Sequence, residues 1–471
     1  MSPFSFGRMI MNSFTKTKRE KKPVDILHGN ISANMIRYAI PLVLTNVLQN
    51  LYNTADNIVV GNMGSTTALA SVGATGSITS LLVNITVTVF IGMKIMLAHQ
   101  LGSGNSDAAR RTTSTGYTVA LGLGLLVALL GQLLTGTLLD VTDCPSGEVY
   151  RGAETYLRIY FLGVPFLIFT NYSAAVFRVN GDSKTPFIYM SLSGAVNVVC
   201  NVIFVLVLGD PVLGVALATF ISMLLSAVLL FIRQMRIDGP CRLVPLRPEL
   251  HMSSLSRILH YGLPASISSA TFAISNFFIA PAVNAFGEVG ISGNLASNSL
   301  ESYLYTITGA FTVTVSTFMG QNIGAGNKER TKESLVKAYI LSCTVSLLLT
   351  ALGLLFNEQL IRLFISDSDA AVEFGKLRML YIFYPAVLQG VMCVNSGALQ
   401  AYGKTMLQMI SNIIGVLIFR IIWMSLIYPL AREPWLLWLC YPVSWVLTGL
   451  SLLAVVICIT SKMLKGDAIN I

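Results

Sequence analysis

Apolar residues in this chain run in long blocks separated by short polar or basic stretches. Twelve blocks are long enough to cross a bilayer as helices, at about 34–60, 68–97, 114–139, 153–177, 186–208, 212–234, 255–284, 290–320, 334–356, 377–400, 406–429 and 435–460. Backbone groups at membrane depth must be satisfied internally, and runs of this length do so as helices rather than barrel strands. The pattern predicts an all-α polytopic membrane protein. The first block carries polar residues along one face, with Thr45, Gln49, Asn53 and Asp56 spaced at i, i+4, i+8 and i+11. Pro41 lies about four turns before Asp56, where it can bend or loosen the helix.

The two halves of the chain repeat. Tyr38-Ala39-Ile40-Pro41 returns as Tyr261-Gly262-Leu263-Pro264, and Gly102-Ser103-Gly104-Asn105 returns as Gly324-Ala325-Gly326-Asn327. Pro165 returns as Pro385, and Lys184-Thr185 as Lys404-Thr405. A near-constant offset in matching contexts marks a duplication. With six spans in each copy, both halves start on the same side of the membrane. Their pseudo-two-fold axis then runs along the membrane normal, with the substrate path between two six-helix lobes. The expected division is an N-terminal tail at 1–33, an N-lobe at 34–234, a linker at 235–254 carrying Pro240, Pro245 and Pro248, a C-lobe at 255–460 and a C-terminal tail at 461–471.

Composition agrees with the hydrophobic pattern. The chain is 54% hydrophobic and 11% charged, against about 25% charged for soluble proteins. The net charge of +9 does not point to nucleic acid, because the basic residues fall in short segments on one side of the spans, such as Arg110, Arg111, Arg178, Lys184, Lys328 and Arg330. Acids gather on the other side, at Asp140, Asp143, Glu148 and Glu154. This asymmetry places both termini in the cytoplasm of a multi-pass cell-membrane protein. No cleavable signal peptide is expected in the polar, basic N-terminus. The seven cysteines are scattered without a C-x-x-C, and His28, His99, His251 and His260 lack ligand spacing, so neither a disulfide framework nor a metal site is expected.

Four charges lie well inside the spans: Asp56, Lys94, Glu301 and Arg420. A charge at membrane depth costs about 3 kcal/mol on insertion scales and usually faces a cavity. Asp56 reads either as an ion or proton site or as a structural acid bonded to Asn197 or Asn201, which share a helix face with Ser193. Glu301 shares a face with Asn294, Asn298 and Tyr305. It either attracts a cation or forms a salt bridge with Arg420. Lys94 either snorkels to the interface or acts as a gate charge or partner to Asp56. Gln49, Tyr52, Asn171, Tyr172, Asn276, Gln389 and Asn395 are further candidates for cleft lining, and Asn53 for the ion site.

The ordered set of Pro41, Asp56 before Val60-Gly61 and Gly64, Gly102-Ser103-Gly104, Asn180-Gly181-Asp182-Ser183-Lys184-Thr185-Pro186 and Gln321-Asn322-Ile323-Gly324-Ala325-Gly326 resembles the MATE (multidrug and toxic compound extrusion) transporters over about residues 32–460. The resemblance implies a V-shaped cleft between the lobes and export of organic cations or other amphiphiles, driven by inward H⁺ or Na⁺. It matches Asp56 to the family's first-helix carboxylate and Pro41 to its bending proline. Asn197 and Asn201 match a fifth-helix pair that often reads Asn and Asp, and Asn201 departs from it, so a carboxylate pair is missing. The seventh block, Thr271-Phe272-Ala273-Ile274-Ser275-Asn276, has no acid, which places the chain nearer the DinF-like than the NorM-like branch. The expected partners are a small cationic or amphiphilic substrate and the bilayer, with no cofactor beyond the coupling H⁺ or Na⁺ (a Na⁺ would sit near Asp56), no nucleic acid, and a monomeric state. A flippase for a lipid-linked saccharide would want cations facing the cleft and is the alternative. An intramembrane enzyme would want a nucleophile–base pair or metal cluster, and neither is seen. No phosphate-binding loop is present for an ATP-driven pump: Gly102-x-Gly104 follows an apolar span, not a strand.

Overall fold

The computed structural model describes residues 23–63, 66–142, 144–244, 248–365 and 368–465, and the expected blocks are helical apart from short breaks in the 68–97 and 377–400 blocks. Among the described residues no strand occurs. In the first half α1 spans Ile31–Met63, followed by the short helices α2 (Thr66–Ala74), α3 (Gly76–Thr88) and α4 (Ile91–Gly102). The long helices α5 (Ser106–Val141), α6 (Glu148–Val179), α7 (Lys184–Leu208) and α8 (Pro211–Arg236) complete it. The second half holds α9 (Met252–Asn284), α10 (Gly287–Gly324), α11 (Lys328–Leu355), the one-turn-and-a-half α12 (Asn357–Arg362), α13 (Asp369–Phe383) and α14 (Ala386–Ala401). It ends with α15 (Thr405–Leu430), interrupted by π-type turns, and α16 (Pro434–Lys465).

Among the described residues nine helices are long and apolar enough to span a membrane, ten if α13 and α14, bent by 46° to each other, count as one. Two expected spans depart from a simple apolar helix. The block at 68–97 is broken into α2, α3 and α4, with Thr75 turning its hydroxyl onto the Val72 carbonyl at the first break. The block at 290–320 is one unbroken helix, α10, whose apolar character is diluted by Asn294, Ser297, Asn298, Ser299, Glu301 and Ser302. Such a helix is stable at depth only where protein or a cavity covers its polar side. The lipid-compatible faces are easy to find elsewhere: Leu125, Leu133, Leu206 and Val207 are all more than two-thirds exposed.

The duplication is visible in backbone detail. Gly104 and Gly326 both adopt left-handed φ, +70° and +71°, a conformation glycine enters without a Cβ clash. The next residue in each case, Asn105 or Asn327, caps the following helix by accepting the backbone N–H of Ala108 or Arg330 at 3.0 Å. A cap of this kind is worth about 1 kcal/mol. The sequence Gly-x-Gly-Asn is therefore a helix stop followed by a helix start, once in each lobe. The N-terminal segment ahead of α1 is strapped across the same end of the molecule: Val24 N–H donates to the Gly181 carbonyl, and the Arg330 guanidinium donates to the carbonyls of Ile26, His28 and Gly29.

Candidate functional site

Asp56 sits on α1 facing α7. The Asn201 side-chain amide donates to its carboxylate and also leans toward Asn197 at 3.4 Å. Asn197 and Asn201 are buried, at 4% and 0% exposure, while Asp56 is half-buried. One turn before Asp56, the Tyr52 hydroxyl donates to the Ser191 carbonyl at 3.0 Å, and its ring lies where a side chain on Gly194 would be. Tyr52 thus clamps α1 to α7 while staying half-buried. Among the described residues Asp56 has no ion pair, and no cluster of three metal-ligating side chains exists. Lys94 is on α4 and is not paired with Asp56. Asn53 lies outside the side chains that the structure describes. Lower on α1, the Thr45 hydroxyl donates to the Pro41 carbonyl at 2.6 Å. The missing N–H of Pro41 leaves the Arg37 carbonyl without its helical donor.

The C-lobe holds a second buried charge cluster, and its pairing differs from expectation. Glu301 pairs with Arg378, not with Arg420. Arg378 also donates to Ser297 at 3.0 Å and to Asn298 at 3.5 Å. Arg420 instead donates to Ser275, Asn276 and Ser444 and lies 4.1 Å above the Tyr441 ring. Arg378 escapes sequence reading because the expected span begins at 377, so it looks like a loop-end charge beside Lys376. In the structure α13 starts at Asp369, which carries Arg378 more than two turns inward, to 2% exposure. Its one advance signal was the i, i+4 face of α10 that offered a buried carboxylate in need of a partner.

The other candidates divide between surface and core. Gln49, Asn276 and Asn298 are exposed, and Asn171 and Tyr305 half-buried. Tyr305 stands edge-on to Trp445 next to Glu301. Tyr172 and Asn395 do not line a cleft. Tyr172 is fully buried, donates to the Thr113 carbonyl and accepts from Gln234. Asn395 is fully buried, accepting from Tyr339 and donating to Gly449. Gln389 is 9% exposed and turned toward Cys393. Both tyrosine and amide side chains at membrane depth can be held by neighbouring helices, which explains how polar residues in a span become core residues.

The halves meet at the end marked by the two Gly-x-Gly-Asn turns. A Cβ on Gly102 would lie 2.0 Å from the Gln321 carbonyl oxygen, and one on Gly324 would lie 2.1 Å from that of His99. Nearby, Gly92 presses on the Ile258 carbonyl in the same way. The Tyr38 hydroxyl, within hydrogen-bond distance of Thr317 and donating to the Arg178 carbonyl, bridges the halves too. Further along, Asn50 donates to Thr306 across the interface at 3.2 Å.

This arrangement of two repeats, closed at one end around paired glycine contacts, has known counterparts. The MatE family model matches the chain twice, over residues 41–203 and 264–424. The chain belongs to the MatE family. Relatives of this transporter include a probable multidrug resistance protein, YpnP, of Bacillus subtilis, 28% identical over 85% of this chain and 89% of its own length. The multidrug export protein MepA of Staphylococcus aureus is 23% identical over 79% of this chain and 81% of its own. An FAD transporter of Shewanella oneidensis is 22% identical over 82% and 86%. Among solved structures, an outward-facing multidrug resistance MATE transporter superposes with a TM-score of 0.87, covering 95% of this chain and 99% of that one at 21% identity. A MATE transporter in the bent conformation superposes at 0.86, covering 95% and 99% at 20% identity. The MatE fold, with two lobes in the membrane, is thereby shown for this chain.

Proposed function

We propose that this MatE-family transporter is a secondary active antiporter of the cell membrane, acting as a monomer. It exports organic cations or amphiphilic drugs and metabolites in exchange for H⁺ or Na⁺. The observation that carries this reading is Asp56: a half-buried carboxylate at membrane depth whose one described side-chain partner is a neutral amide. A carboxylate left without a counter-charge in a low-dielectric setting favours uptake of a proton or a cation. The Asn201 side-chain oxygen, buried without a partner, adds a second oxygen close by that a Na⁺ could use. With both termini cytoplasmic, the Gly-x-Gly-Asn end, where the halves touch, faces the cytoplasm. Ion binding at Asp56 then acts on α1 through Pro41 and the Tyr52 clamp, and rocking of the lobes parts the glycine contacts. Inward ion movement gains about 2.3 kcal/mol per charge for each 100 mV of membrane potential. The absence of an acid at Thr271–Asn276 supports placement nearer the DinF-like branch.

The test is efflux of a fluorescent organic cation from proteoliposomes under a pH gradient or a Na⁺ gradient imposed separately. One gradient should drive efflux in the wild type and fail in Asp56→Asn. Efflux that ignores both gradients, or that survives Asp56→Asn unchanged, would overturn the reading.

A further inference from the structure

The C-lobe cluster has donors to spare and too few acceptors. Arg378 Nε, Arg420 Nη2 and the indole Nε1 atoms of Trp438 and Trp445 are all buried without a partner. Each of these side chains is at most 2% exposed. They form one group: Arg378 lies 5.1 Å from the Trp438 ring and Arg420 4.1 Å from the Tyr441 ring, while Tyr441 meets both indoles at 6.3 Å. Buried polar groups in native proteins nearly always find partners. Four unpaired groups of the same sense, all donors, call for an acceptor.

Charge points the same way. The cluster contains two guanidinium groups and one carboxylate, and Glu301 is already taken by Arg378. Among the described residues, the hydrogen bonds of Arg420 go to the neutral oxygens of Ser275, Asn276 and Ser444, and its guanidinium lies over the face of Tyr441. The cluster is not sealed. Asn276, which accepts from Arg420, and Asn298, which accepts from Arg378, are both exposed. An exposed amide at bilayer depth is unfavourable against lipid, so these two mark the side that faces the inter-lobe path.

We infer that the C-lobe cluster centred on Arg420 is a binding site for an anionic, oxygen-rich group, a carboxylate or phosphate, carried on a flat amphiphile. The planar guanidinium fork matches such a group, and the aromatic side chains around it suit a flat scaffold. The two lobes then differ in polarity: the N-lobe offers the carboxylate of Asp56, the C-lobe a surplus cation. The inference deepens the export reading and rests on it for its meaning, but its test needs no gradient.

All four tryptophans, Trp423, Trp435, Trp438 and Trp445, lie in the second half of the chain, so intrinsic fluorescence reports on this lobe. The purified full-length protein would be titrated with a naphthoate, its neutral amide and the matching naphthylmethylammonium. The naphthoate should bind saturably, with the amide and the ammonium weaker by about ten-fold or more, the scale set by one charged hydrogen bond. Arg420→Gln should weaken the naphthoate to a similar degree, and Arg420→Lys less. Asn276→Asp places the missing carboxylate beside Arg420; it should fold at least as well as the wild type and lose naphthoate binding. That variant decides the matter if Arg420→Gln fails to fold. Ammonium binding as tight as naphthoate binding, or naphthoate binding unchanged in Asn276→Asp, would overturn the inference. Repeating the titration in phosphatidylcholine nanodiscs with and without phosphatidylglycerol separates two sources of the anion. Competition by phosphatidylglycerol identifies a lipid headgroup, its absence a soluble substrate, and both outcomes support the anion site. Loss of gradient-driven efflux with naphthoate binding intact would count against antiport alone.

Discussion

His99 reaches across the lobe interface to the Ala401 carbonyl at 2.6 Å, and since that acceptor is a carbonyl, Nε2 carries the hydrogen. Gln321 makes the mirror contact, donating to the Val179 carbonyl at 2.6 Å. His99 and Gln321 are related by the same offset of 222 that relates Val179 to Ala401 and Gly102 to Gly324. The interface is therefore self-complementary, as a two-fold contact must be. Each helix end places a glycine against the other lobe's backbone and a donor against the other lobe's last helical turn.

The glycines set how closely the halves can approach. Gly102→Ala and Gly324→Ala each put a methyl carbon about 2 Å from a backbone oxygen, and a backbone cannot step aside as a side chain can. Each variant should hold the lobes apart at this end while leaving each lobe folded. Single cysteines placed near Asn322 should become more reactive to a water-soluble maleimide added on the side proposed to be cytoplasmic, and the proposed gradient-driven efflux should fall about ten-fold.

His99 differs from Gln321 in being titratable, yet the geometry gives both the same task. His99→Gln should keep efflux close to wild type across pH, because glutamine already performs this contact in the other half. His99→Ala should lose one interfacial hydrogen bond, about 1 kcal/mol, and shift the lobe equilibrium toward separation at this end. A His99→Gln variant that loses the pH dependence of transport would instead show that the ring carries protons for the cycle.

Breaking the Glu301–Arg378 pair should hurt stability before it hurts coupling. Glu301→Gln leaves Arg378 buried without its counter-charge, a situation that costs about 3–5 kcal/mol. Thermal unfolding in detergent should show a marked drop for Glu301→Gln and for Arg378→Gln. The Glu301→Leu/Arg378→Met pair should recover much of it. If the single variants are as stable as the wild type and only ion dependence changes, Glu301 is a coupling residue and not a structural partner.

The fold was legible because each of its main devices leaves a mark in the chain. Twelve apolar blocks, the repeated Gly-x-Gly-Asn and the one-sided basic loops are all local patterns. The pairing of charges is not local. Glu301 was visible as a buried acid, but its partner was hidden by a span limit drawn at 377, since Glu373 and Lys376 make the first turns of α13 look like loop. Tyr172 and Asn395 misled for the opposite reason: a polar residue in a span reads as cleft-lining, and only helix packing shows that neighbouring helices satisfy it. The reciprocal contacts of His99 and Gln321 could have been read from the 222 offset, had the repeat been carried past its glycines.

Asp56→Asn should separate function from folding. The amide is isosteric and its oxygen can still accept from Asn201, so thermal stability should stay within about 1 kcal/mol of the wild type. Efflux should lose its dependence on the driving gradient. A large loss of stability would assign Asp56 to the structure of the N-lobe.

Pro41→Ala restores a backbone N–H where the Arg37 carbonyl lacks one, and α1 should become straighter and stiffer. Proline in a helix interior costs about 3 kcal/mol relative to alanine, so the variant should be at least as stable as the wild type. If bending at Pro41 carries the signal from Asp56 to the lobe interface, substrate binding should be retained while turnover falls several-fold. The check is a binding titration beside an efflux time course on the same preparation. Equal turnover in Pro41→Ala would move the hinge elsewhere, with the breaks between α2, α3 and α4 the next segment to test.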